Sequence, residues 1–247
     1  MPFNFYDAIA AALWATTAMT GFLTLSLALG WSHLDFGRLL GGIFMPLGRG
    51  AAVLGLALHY LNGLVFGLIY AGVLGMVGMP AILWLGFVVG TGFGLYHWLL
   101  SMPLISVGRQ LNQHIRTGEE PDPGIWGIKF GPAEAALRLL SHLVYGAVFG
   151  FSYVAIALLN GTAAGTAIAG NGIAIVLPLL PAIAVVYLYA SSLPPEKVDR
   201  PYVFQSGQPS VNERRYRARL ELRERYEKGE ITWDEYQHLR RQYAAEP

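Results

Sequence analysis

Five separate stretches of this chain are each long and apolar enough to cross about 30 Å of hydrocarbon at about 1.5 Å per helical residue, which constrains the fold more than any other feature. They run over residues 8–29, 51–77, 81–102, 133–159 and 166–189. A lone segment in hydrocarbon must satisfy its own backbone hydrogen bonds, and only a helix does so. The expected fold class is therefore all-α: a polytopic bundle of five transmembrane helices over residues 1–192. Composition agrees, since 54% hydrophobic and 13% charged residues are too apolar and too poor in charge for a soluble domain of 247 residues. A net charge of +1 excludes bulk attraction to nucleic acid. The absence of cysteine excludes disulfides, thiolate metal sites and cysteine nucleophiles. The first stretch reads as a retained helix, because no Lys or Arg precedes it and no small-residue cleavage site follows.

Charge placement orients the bundle. With five spans, the first and third loops and the C-terminal tail share one side. Arg38 and Arg49 fall in the first loop, Arg109, Arg116 and Lys129 in the third, Arg138 just inside the fourth span, and the remaining basic residues beyond Ser192. The positive-inside rule then puts the N-terminus outside and the C-terminus in the cytoplasm of an inner-membrane protein. Acidic residues inside the spans reduce to Glu134, four residues before Arg138, a spacing that suits an i,i+4 ion pair at the interface.

The two long loops carry helical signals of their own. Ser32 and Asp35 stand at capping-box spacing before Phe36, Leu39, Leu40, Ile43 and Phe44, which predicts a short helix lying in the interface. Residues 104–117 alternate apolar and polar groups in the same way. The Trp and Tyr residues near span ends, Trp14, Trp84, Trp98 and Tyr189, suit interfacial anchoring.

Beyond the fifth span the composition turns polar. Residues 193–211 read as a linker, and 212–247 as a helical hairpin, with Gly229 ending one helix and Thr232 with Glu235 opening the next as a capping box. Two helices this short do not bury enough surface to stand alone, so Tyr226, Ile231, Tyr236 and Leu239 are expected to meet a partner, another membrane subunit or a second copy. The run from Leu222 to Tyr236, with its Gly229-Glu-Ile231-Thr232 turn and its Asp234-Glu235-Tyr236 helix start, resembles the short C-terminal domain called SHOCT. That resemblance implies a prokaryotic protein and a role in oligomerisation or assembly, without chemistry. The spans themselves resemble those of small bacterial inner-membrane proteins of an uncharacterised family, a likeness that transfers no active residue.

One pattern is written twice inside the spans: His59, Gly63, Phe66, Gly67 and Tyr70, then His142, Gly146, Phe149, Gly150 and Tyr153. The shared offsets track the 3.6 period, so each set lies on one helix face. The third span adds Gly86, Gly90, Gly94 and His97. Glycines four apart let helix backbones approach, so the second, third and fourth spans are expected to pack through these faces and to gather His59, His97 and His142 in the cytoplasmic half.

An ionisable residue in a span is a candidate for function. Three readings of the histidines stand. They bond across helices to Tyr60, Tyr96, Tyr145 or a carbonyl and only specify packing; they bind haem b or a transition metal; or they form a proton or ion path. No HExxH, Walker A or G-x-S-x-G pattern occurs, so no enzyme is expected. The sequence thus leads to a non-catalytic subunit or assembly factor, in contact with membrane lipid and other subunits, with a haem- or metal-binding protein as the alternative and a small transporter as the third.

Overall fold

The computed structural model describes residues 1–116, 120, 122–161, 173–192, 211–232, 234–236 and 238–239. Of the expected linker at 193–211, residues 193–210 lie outside the described residues and Val211 already begins a helix; the start of the fifth span at 166–172 and the last residues of the hairpin also lie outside them. Five helices are long and apolar enough to cross a membrane, and the chain is a multi-pass membrane protein.

The spans are α1 (Phe5–Ala28), α3 (Arg49–Met76), α4 (Leu83–Leu111), α6 (Pro132–Asn160) and α7 (Ile173–Ser192). Between them lie α2 (Phe36–Gly41), α5 (Gln113–Arg116) and a 3₁₀ segment at Ile125–Phe130, and beyond them α8 (Val211–Glu227). Local chemistry sets the ends. Asn4 caps α1 by accepting from the Tyr6 and Asp7 amides at 3.0 and 3.3 Å. Pro132 opens α6, where its missing N–H costs nothing. Gly78, at φ +61°, closes α3 in a Schellman turn, with Met79 N–H donating to Leu74 and Gly78 N–H to Gly75.

α1 runs through the middle of the bundle against α3, α6 and α7. Its sequence permits this because Ala8, Ala10, Ala11, Ala12 and Ala15 present almost no bulk and are fully buried. Thr16 and Thr20, also buried, return their hydroxyls to the carbonyls one turn back at 2.8 and 2.7 Å, so no polar atom is stranded.

α4 and α6 form the tightest pair. Gly86 faces Gly150, Gly90 faces Gly146, and Gly94 faces the carbonyl of His142, an antiparallel register in which a Cβ at any of these glycines would overlap the opposite backbone. Gly63 and Gly67 do not join this seam. They take Thr16 and Ala12 of α1, with Phe149 beside Gly67. The α3 and α4 backbones stay apart and meet through rings, Tyr70 stacking on Phe93 at 4.5 Å and Phe66 on His97 at 3.9 Å.

The loops differ from their sequence reading in three ways. Asp35, not Ser32, caps α2, accepting from the Arg38 amide at 3.0 Å. α2 also packs on the bundle, which its own periodicity did not show: Gly37 and Gly41 press on the backbone of Ala51, Ala52 and Gly55 in α3. Residues 104–111 continue α4 in place of a separate helix, and only α5 follows. Tyr189, read as an interfacial anchor, is buried and donates its hydroxyl to Asp35, tying α7 to α2.

In the tail, Gly229 at φ +72° ends α8 in a second Schellman turn, Glu230 N–H to Arg225 and Gly229 N–H to Tyr226. Thr232 and Glu235 exchange capping bonds of 2.8 and 3.3 Å, and residues 234–236 and 238–239 are helical. Leu222 and Ile231 are buried, and Tyr226 meets Tyr236 at 5.3 Å.

Candidate functional site

Because α3 and α4 are held apart, a cavity of about 420 Å³ opens between them at the end of the bundle that carries α2 and α5. Its roof is Phe36, Leu39, Leu40, Ile43 and Phe44, its far wall Thr16, Met19 and Leu23 of α1. His59 and Asn62 come from α3, His97 and Ser101 from α4, Arg138, His142 and Tyr145 from α6, and Trp126 from the 3₁₀ segment. The volume falls within the roughly 300–1,000 Å³ of small-molecule sites, and an apolar wall with few convergent polar groups is their usual make-up.

All three intramembrane histidines line this one space. His97 and His142 meet edge to face with ring centroids 5.1 Å apart. His59, from α3, stands edge-on to Phe36 at 5.3 Å. Their hydrogen bonds assign the uncharged rings. His142 Nδ1 sits 2.7 Å from the Arg138 carbonyl, which only accepts, so Nδ1 carries the proton and Nε2 keeps a lone pair. The Asn62 side-chain amide donates to His97 Nε2 at 3.4 Å, which leaves the proton on Nδ1. His97 Nδ1 and His59 Nε2 are buried without a partner among the described residues. Leaving such an atom unsatisfied costs about 1–3 kcal/mol, so each is an exception that calls for a cause.

None of the three bonds to a tyrosine among the described residues. Tyr145 donates to the Gly63 carbonyl and Tyr60 shares a 3.2 Å contact with Thr17. Nor do they converge on a common centre: among the described residues no group of three or more His, Asp or Glu is placed to hold a metal ion. The edge contact of His97 with His142, and the stack of Phe66 on the His97 face, leave no slot between those rings for a porphyrin.

Beside the cavity stands a buried polar node that the sequence shows only as an i,i+4 ion pair at the interface. Arg138 and Glu134 are joined at 2.5 Å, with side chains only 5% and 1% exposed. Glu134 also accepts from the Ser32 hydroxyl at 2.8 Å and the His33 amide at 2.9 Å, while Arg138 donates to Ser32 and to the Leu34 carbonyl at 2.9 Å. The pair therefore pins the segment that leads into the cavity roof, and Arg138 faces the cavity already matched by a carboxylate. Its position inside a span was the available signal.

Trp126 is the second residue the sequence did not point to. It holds φ +54°, a left-handed conformation that is strained for a bulky residue, between Gly124 and Gly127. Its indole stacks on Trp98 at 4.1 Å and donates to the Trp98 carbonyl at 3.3 Å, which fixes it at the cavity edge. Such strain collects at ligand clamps.

In the tail, Tyr226 is 38% exposed and Ile231 is buried, while Tyr236 and Leu239 are half-buried. Comparison with protein-family models, with curated proteins and with solved structures yields no match.

Proposed function

We propose that this chain is a non-catalytic binding protein of the cell inner membrane, with its C-terminus in the cytoplasm, that holds an uncharged lipid-soluble molecule in the cavity between α3 and α4. One observation carries the reading: a mostly apolar space of about 420 Å³ lined by two buried imidazoles whose nitrogens have no partner among the described residues. Among the described residues the one charged side chain on its wall, Arg138, is neutralised by Glu134, so an ionic ligand finds no counter-charge there. Phe44, Val107 and Leu111 are 66%, 53% and 59% exposed at the rim, an apolar mouth suited to access from the bilayer.

The test is extraction. Protein purified into nanodiscs is expected to carry one lipid-soluble molecule per chain, lost when Leu40→Trp fills the cavity. Equal content in the filled variant would overturn the proposal.

A second reading concerns the tail. The hairpin keeps Tyr226 exposed next to its turn while Leu222 and Ile231 are buried, which supports association with another subunit or a second copy in line with the SHOCT-like sequence. Deleting residues 212–247 is expected to reduce the size of the assembly released by mild detergent; an unchanged size would rule this role out.

A further inference from the structure

We infer that the ligand of this cavity is a neutral lipid whose head carries a carbonyl or hydroxyl oxygen, of the quinone or quinol kind, bound with that oxygen against His97 and His59 and with its tail leaving through the mouth at Phe44, Val107 and Leu111. The inference rests on the reading of the cavity as a binding site and adds the chemistry of what it binds.

Three features of the wall select the class. The first is the donor and acceptor inventory. His97 offers an Nδ1–H that is unused among the described residues, because Asn62 occupies its other nitrogen. His142 offers a lone pair at Nε2, because its Nδ1–H is spent on the Arg138 carbonyl. His59 Nε2 is unused and acts as donor or acceptor according to its tautomer. A carbonyl oxygen accepts from the first, and a hydroxyl also donates to the second. A plain alkyl chain does neither and leaves the buried nitrogens at full cost.

The second feature is charge. A phosphate or carboxylate head would enter a space whose one guanidinium among the described residues is already held by Glu134, and would find no counter-charge there. The third is shape. Phe36 stands edge-on to His59, and Trp126, fixed by its stack on Trp98, lines the same cavity, so flat aromatic faces are on hand for a ring. Phe44, Val107 and Leu111, which line the same cavity, are exposed and apolar, so a tail leaves past them into lipid.

The experiment uses the full chain in phosphatidylcholine nanodiscs, with empty nanodiscs as background, and titrates three probes of equal tail length by calorimetry: an alkyl benzoquinone, an alkylbenzene and a fatty acid. The quinone is expected to bind saturably, one per chain, at least about ten-fold tighter than the alkylbenzene and the fatty acid, and Val107→Trp at the mouth is expected to abolish it. Infrared spectra of a ¹³C-carbonyl quinone are expected to show a downshifted C=O stretch that His97→Phe, which keeps the ring stack on Phe66, removes. Equal affinity for quinone and alkylbenzene, or tighter binding of the fatty acid, overturns the inference while leaving the cavity a binding site. No saturable binding of any probe overturns both. If His97→Phe does not fold, the probe comparison on the unaltered chain decides alone.

Discussion

Gly90 of α4 and Gly146 of α6 face each other so closely that a Cβ on either would overlap the other's carbonyl oxygen. The two helices touch backbone to backbone, which brings His97 and His142 into contact at one end of the seam. Alanine at either glycine forces the helices apart, an overpacking cost of about 1–3 kcal/mol. Gly92, on the same helix, has open space for at least 4 Å around the point where a methyl would stand, and alanine there gains about 0.5–1 kcal/mol of helix propensity. Thermal unfolding in one detergent should therefore fall for Gly146→Ala and hold or rise for Gly92→Ala. Identical melting of both variants would contradict the seam.

Arg138→Met leaves Glu134 buried without its charge partner and removes the donors to Ser32 and Leu34. Loss of one member of a buried pair costs about 3–5 kcal/mol. The double variant Glu134→Leu with Arg138→Met is expected to be less destabilised than Arg138→Met alone. Denaturation of the three proteins side by side checks the order, and a double variant weaker than the single would refute it.

His59→Phe removes a buried nitrogen that has no partner among the described residues while keeping an aromatic edge for Phe36. Stability is expected to hold or rise, and binding of the carbonyl-bearing probe to weaken. A stability loss beyond about 2 kcal/mol would instead mark His59 as a structural donor.

The chain has no cysteine, so single cysteines report topology cleanly. Val77 and Ser191 are both exposed and lie at the ends of α3 and α7. With the C-terminus cytoplasmic, an impermeant maleimide added to whole cells labels Val77→Cys and spares Ser191→Cys. The reverse pattern would invert the orientation.

The hairpin carries the pH dependence that lies outside the spans. Hydrogen bonding from Lys228 holds Glu224 below the ordinary 4.5, and hydrogen bonds from Thr232 do the same for Glu235. Lys228 is raised above 10.5 by its bond to Glu224. Lowered carboxyl values contribute stability that is complete above about 4.5 and is lost as pH falls through the folded values. The raised amine contributes stability that is complete below about 10.5 and is lost at higher pH. Amide chemical shifts of Thr232 and Glu235 in the micelle-bound full chain should thus stay flat across neutral pH and move toward random-coil positions in acid. Because these groups are exposed, added salt should shrink the effect. A hairpin that keeps its shifts in acid would show that the carboxylates contribute nothing.

The spans were legible because hydropathy over some twenty residues is a property of the chain alone, and α1, α3, α4 and α6 fall within a few residues of their expected starts. The glycine spacing 86, 90 and 94 was legible for the same reason, a local period on one helix. Its partner was not: Gly63 and Gly67 carry the same spacing yet meet Thr16 and Ala12, because the alanine-lined α1 fits between α3 and its neighbours. Glu134 and Arg138 were legible as an i,i+4 pair, but Ser32 and His33, about a hundred residues away, decide that the pair is a buried clamp.

By itself the amino-acid sequence determined the all-helical class, the five spans and the faces on which His59, His97 and His142 lie, since each follows from local composition and the helical period. Only the tertiary structure decided that those faces surround a cavity. Whether two helices touch or stand apart depends on which small residues meet which backbone, a relation between distant segments that no single segment encodes. The glycine seam closed α4 on α6, the rings held α3 away, and the gap left two imidazole nitrogens without a partner among the described residues.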